Sequence, residues 1–213
     1  MIVAAIDVGA PRNIGWAIID DGIATHGIDL DEFIKLFSKA CAGQPTALGF
    51  EAPLFIPRRQ NLEDITRQRN GEAGRPWSAG AGATVTTIGL AVVDYTLSRL
   101  RELLPDKPAT LDYEKWLSSN ELLIWEAFIS GGNHAAPGEH WRDALTAAQG
   151  FIKAYPNLAA HNAINEHDVV SLAGLSLVRT GWVKPNQNIL SQPTLVIRPR
   201  QDVSIKSEIC PLQ

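Results

Sequence analysis

Residues 2–28 read "IVAAIDVGAPRNIGWAIIDDGIATHGI", and three strands can be picked out of them. Ile2 to Asp7 is apolar on both alternating faces, the pattern of a central strand covered on both sides, with Asp7 at its C-terminal end. A turn bearing Gly9, Pro11 and Asn13 leads to a second strand at 15–20, and Asp20-Asp21-Gly22 signals a hairpin into a third at 23–28. A carboxylate ending a buried strand is costly to desolvate, so it needs a partner. Asp7 either caps the turn that follows it or meets a cation.

Working outward, 31–42 has helical spacing with Phe33, Ile34 and Phe37 on one face. "TALGFEAP", 46–53, repeats the first strand's pattern of an apolar run ending on an acid, here Glu51. From 57 to 82 the periodicity vanishes, which predicts an exposed loop or a partly helical insertion. It is locally basic, with Arg58, Arg59, Arg67, Arg69 and Arg75 against Glu63, Asp64 and Glu72. A long helix follows over 83–104. "ELLIWEAF", 121–128, reads as a buried strand with Glu126 near its end, and Gly131, Gly132 and Pro137 mark a loop. Helices are expected over 139–154 and 160–180, with an edge strand in "TLVIRP", 194–199.

Composition fits one globular domain over 1–213: hydrophobic residues make up 45% and charged residues 20% of the chain. A net charge of -4 excludes a protein that coats nucleic acid by bulk electrostatics, and leaves room for a local basic site. Cys41 and Cys210 lack any metal-ligand spacing, which points to a reducing, cytoplasmic setting. No signal segment and no membrane-length apolar run is seen, so no membrane partner is expected. His134, His140 and His167 match no metal motif and each reads as structural.

Strands separated by helices run parallel through crossover connections, so the first, fourth and fifth strands would share one edge at their C-terminal ends. Ligands bind at that edge in open α/β sheets, and Asp7, Glu51 and Glu126 are expected to converge there. On a helix over 160–180, Ile164, Asp168, Leu172 and Leu175 form one stripe, adding Asp168 as a fourth inward-facing acid. Clustered carboxylates repel one another unless a cation shares the site, and Mg²⁺ or Mn²⁺, hard ions preferring oxygen, would suit.

"AIDVG…GWAII", "LGFEAPLFIP", "LLIWEAF" and "EHDVVSLAGLSLV" together resemble the RNase H-like superfamily, in a branch of predicted nucleases related in fold to RuvC-type resolvases. The resemblance covers residues 1 to about 180. It implies a mixed α/β sheet, three antiparallel strands followed by parallel ones, flanked by helices, with acids coordinating two divalent metals. Asp7 matches the first-strand aspartate that bridges the metals, and Glu51 the acid ending the fourth strand. Asp168, or less directly Glu126, would complete the set. Resolvase-like members often carry two acids one turn apart in the last helix. Here the second position is Ser171, with Glu166 or His167 as possible substitutes.

The function expected is a divalent-metal-dependent nuclease acting on phosphodiester bonds of DNA or RNA. Arg58, Arg59, Arg67, Arg69 and Arg75 would hold phosphates near the scissile bond. A second copy of the chain is a candidate partner beside nucleic acid. Two alternatives stand: an RNase H-like module that has lost its metals and only binds nucleic acid or protein, for which Ser171 speaks, and an actin-like phosphotransferase, which needs two such domains.

Overall fold

The computed structural model describes residues 1–41, 43–72, 74, 76–129, 138–185 and 188–199. The opening meander is β1 (Ile2–Asp7), β2 (Gly15–Asp20) and β3 (Ile23–Gly27), followed by α1 (Leu30–Ala40), which Asp29 caps by accepting from the Glu32 N–H. Then come β4 (Thr46–Glu51), β5 (Phe55–Pro57), the long α2 (Gly80–Leu103), β6 (Ala109–Thr110) and the single turn α3 (Tyr113–Trp116). The chain continues through β7 (Leu122–Ala127), α4 (Trp141–Ala154), β8 (Val169–Ser171), α5 (Leu172–Arg179) and β9 (Val196–Ile197).

The main sheet runs in the order β3-β2-β1-β4-β7-β6, with β9 beside the far end of β7. β1, β2 and β3 are mutually antiparallel, and β4, β7, β6 and β9 join in parallel. This is the mixed sheet, three antiparallel strands and then parallel ones flanked by helices, that the resemblance implies. Among the described residues no helix is long and apolar enough to cross a membrane.

Strand parity sorts the core into two layers. Ile2, Ala4, Ile6, Leu48, Phe50, Leu122 and Ile124 share a cluster with Phe33, Phe37, Val93 and Leu97 of α1 and α2. Val3, Ala5, Ala17, Ala47, Leu123 and Trp125 face the other way, onto Ala144, Ala147, Ala148 and Phe151 of α4. Alanines recur on both sides of the second interface, Ala5, Ala17 and Ala47 on the sheet and Ala144, Ala147 and Ala148 on the helix, and α4 packs across β1 and β2. Gly49 fits there for a definite reason: a Cβ would lie 2.4 Å from the Trp125 ring.

One expectation is corrected: the region 160–180 is not one helix. Leu158–His161 makes a 3-10 turn, Val169–Ser171 pairs antiparallel with Phe55–Pro57, and helix starts only at Leu172. The β-branched pair Val169-Val170 prefers the extended state, and the Ser171 hydroxyl caps the new helix by accepting from the Gly174 N–H. Ser171 is therefore an N-cap, not a vacated ligand position. The insertion is partly helical, one of the two alternatives expected for it, with a 3-10 turn at Leu62–Asp64 and the start of α2 at Gly80, and buried ion pairs hold it down.

Candidate metal centre

Asp7 and Glu51 end β1 and β4, and the parallel register sets them opposite each other as Cα partners. Neighbouring strands lie about 4.8 Å apart, so two residues on one rung and one face project side by side. Their face is the α4 face, since Asp7 keeps the parity of Val3 and Ala5, and Glu51 that of Ala47. Asp143, in the first turn of α4, brings a third carboxylate. One oxygen from each of Asp7, Glu51 and Asp143 lies within 4.8 Å of the other two.

His140, one turn before Asp143, adds its ring: Nδ1 is 2.7 Å from Asp7 Oδ2. Trp141 stacks on His26 of β3, ring centroids 3.8 Å apart and 11° from parallel, which fastens the start of α4 to the sheet edge. Burial pushes the Asp7 carboxyl above the usual range and nearby Asp143 adds to this, while hydrogen bonds to His140 and Glu51 pull the other way. A group in that position gains from a cation. Oxygen ligands about 2.1 Å from a Mg²⁺ ion stand about 3 Å apart when adjacent and about 4.2 Å when opposite, so these three carboxylates need little adjustment to share one.

Glu126 is not brought into this cluster. It lies one rung short, paired with Phe50 rather than Glu51, and parity turns it to the opposite face. There it is buried and accepts from Arg69 Nη1 at 2.8 Å, Arg69 Nη2 at 2.6 Å and the Leu54 N–H at 2.9 Å. Asp168 is not brought in either. Without the expected helix it precedes β8 on the surface, its side chain 58% exposed, 3.4 Å from Arg58.

The five arginines divide. Arg69 has no exposed side-chain surface and holds Glu126 and Glu72, so it cannot reach a phosphate. Arg59 grips Glu166 at 2.8 and 3.1 Å. Arg58 and Arg67 keep most of their surface in water, each 3.4 Å from one acid. Arg75, like the 131–137 loop with His134, lies outside the described residues. Glu166 and His167, the possible substitutes in the last helix, are on the segment before β8. Burial alone would raise the Glu166 carboxyl, but the bonds from Arg59 and the Asn70 N–H hold it below its ordinary value.

A cavity of about 770 Å³ lined by Thr110, Lys115, Glu121, Trp182 and Lys184 lies elsewhere. It borders β6, beside the start of β7, and the carboxylates stand at the other end of the strands. Size alone does not mark it as the place of chemistry.

Comparison of the chain with family models, curated proteins and solved structures gives no match. The centre is therefore argued from its own geometry. Sequence reasoning missed Asp143 and His140, although a signal was there. The acid-bearing face of the sheet carries Ala5, Ala17, Ala47 and Gly49 among its residues, and a helix with a small stripe can lie close to them. "HWRDALTAAQG", 140–150, has that stripe at Ala144, Ala147 and Ala148, with Asp143 beside it.

Proposed function

We propose that the chain is a divalent-metal-dependent nuclease that hydrolyses phosphodiester bonds of DNA or RNA, with Mg²⁺ or Mn²⁺ held by Asp7, Glu51 and Asp143. The observation that carries this reading is the convergence of three carboxylates at the C-terminal ends of adjacent parallel strands, closed over by α4. His140 and Asp143 stand three residues apart on α4 and face the same site.

A divalent ion held by Asp7, Glu51 and Asp143 would supply Lewis acidity for phosphodiester hydrolysis. The protein's own groups set the positions. His140 Nδ1 holds Asp7 Oδ2 and so helps to fix the plane of that carboxylate. Glu51 and Asp143 add negative charge from a second strand and from the helix. Arg58 and Arg67, the arginines of the insertion that are mostly exposed among the described residues, would be the ones to meet flanking phosphates.

Calorimetric titration with Mn²⁺ and cleavage of single- and double-stranded DNA and RNA test this directly. Asp7→Asn and Asp143→Asn are expected to lower cleavage at least 100-fold and to weaken Mn²⁺ binding. Asp168→Asn should behave as wild type. Failure of the wild type to bind Mn²⁺, or full cleavage by Asp143→Asn, sinks the reading.

A further inference from the structure

The third carboxylate and the histidine reach Asp7 only because the first turn of α4 comes very close to β2, and the contact point is Gly15, the residue paired across the ladder with Asp7. A Cβ on Gly15 would sit 2.1 Å from His140 C, 2.1 Å from Trp141 N and 2.6 Å from His140 O. All three are backbone atoms, which cannot rotate away. Gly15 does not have the left-handed backbone that demands glycine, so its own conformation would accept alanine. The glycine is required by the approach of the helix.

We infer that Gly15 is a positioning residue for the metal centre: the side chain it lacks is what seats His140 and Asp143 against Asp7 and Glu51. This rests on the metal-site reading above. Ordinary van der Waals contact begins near 3.4 Å, so an alanine obliges the start of α4 to retreat by about 3.4 − 2.1 = 1.3 Å. Asp143 lies three residues into that helix and moves with it. A retreat of that size takes its carboxylate out of bonding range of an ion held at about 2.1 Å by Asp7 and Glu51.

Gly27 provides the control. A Cβ there would lie 2.5 Å from the Trp16 ring, a comparable intrusion, but against a side chain and away from α4. The experiment is Mn²⁺ titration of the metal-free protein by calorimetry, with thermal melts alongside, for wild type, Gly15→Ala and Gly27→Ala. Both variants should melt lower, and only Gly15→Ala should lose at least 10-fold in Mn²⁺ affinity. Adding Asp143→Glu to Gly15→Ala, one methylene of extra reach, should recover part of that loss. Unchanged affinity in a folded Gly15→Ala overturns the inference while leaving the metal centre standing. An equal affinity loss in Gly27→Ala overturns it too, and so does a Gly15→Ala chain that fails to fold when Gly27→Ala folds, since the glycine would then serve the fold. A wild type that binds no Mn²⁺ overturns the metal centre and this inference with it.

Discussion

Glu51 ends β4, whereas Glu126 is the last residue but one of β7, its parallel neighbour, and lies one rung short of Glu51, a step that separates their chemistry. Glu51 shares a rung with Asp7, whereas Glu126 pairs with Phe50 and turns to the other face of the sheet. There Arg69 is fully buried between two carboxylates, stacked 4.7 Å over Phe55, and donates to Glu72 as well as to Glu126. Burial would lower the guanidinium's proton affinity, but Glu126 and Glu72 more than reverse this, so it stays charged. Removing one partner from such a buried group leaves charge uncompensated, at a cost of about 3–5 kcal/mol. Glu126→Gln should therefore lower stability to urea by about that amount, and still bind Mn²⁺ once folded. Glu51→Gln should lose Mn²⁺ binding with a much smaller change in stability. A Glu126→Gln protein as stable as wild type would show that the Arg69 network contributes little.

Cys41 gives a sharper test at the same scale. Burial pushes its thiol up to about 12, far from the range where thiolate forms at neutral pH. In the native protein at pH 8, iodoacetamide should leave Cys41 unmodified, and mass spectrometry of the peptide covering it should show alkylation only after denaturation. Rapid native labelling would contradict its burial against Lys107 and Thr46.

At the level of elements, the meander, the three acid-bearing strands and α4 were legible because each rests on a local pattern: an apolar run, a turn signal or, for α4, loop residues before it and Pro156 and Asn157 after it. The stretch before β8 was not. Ile164, Asp168, Leu172 and Leu175 have helical spacing, but the residues around Asp168 answer to tertiary partners. Val169–Ser171 is drawn into pairing with β5, and the Arg58 N–H donates to the Asp168 carbonyl. Long-range contacts of the same kind anchor the insertion beyond the reach of local pattern, since Glu166 lies 107 and 96 residues from its partners Arg59 and Asn70. Glu166 is held below its ordinary value, so its contribution to stability is present above the unfolded value near 4.5 and is lost as pH falls through the lower folded value. Limited proteolysis should then find the 58–79 segment protected at pH 7 and nicked as pH drops below about 4.5. Glu166→Gln should expose it already at pH 7. Equal cleavage of wild type and Glu166→Gln at pH 7 would mean that this ion pair does not hold the insertion down.

Across the whole molecule, the carboxylate end of the sheet is where folding stability and the proposed metal binding would oppose each other. The chain carries a net charge of -4, and three of its acids are packed at one point. Asp7 has a raised carboxyl, so the stability it lends the metal-free fold is complete below its unfolded value near 3.8 and is lost as pH rises through the folded value. A divalent ion reverses this balance, because it binds the ionised form and only the folded chain presents all three ligands. Mn²⁺ should consequently raise the melting temperature more at pH 7.5 than at pH 5. Asp7→Asn removes the repulsion along with the ligand, so its metal-free form should melt no lower than wild type at pH 7.5 and gain nothing from Mn²⁺. Melts of both proteins at the two pH values, with and without the ion, cancel acid effects common to both, such as that of Glu166. An equal Mn²⁺ increment at both pH values, or a gain preserved in Asp7→Asn, would place the bound ion somewhere other than the end of β1.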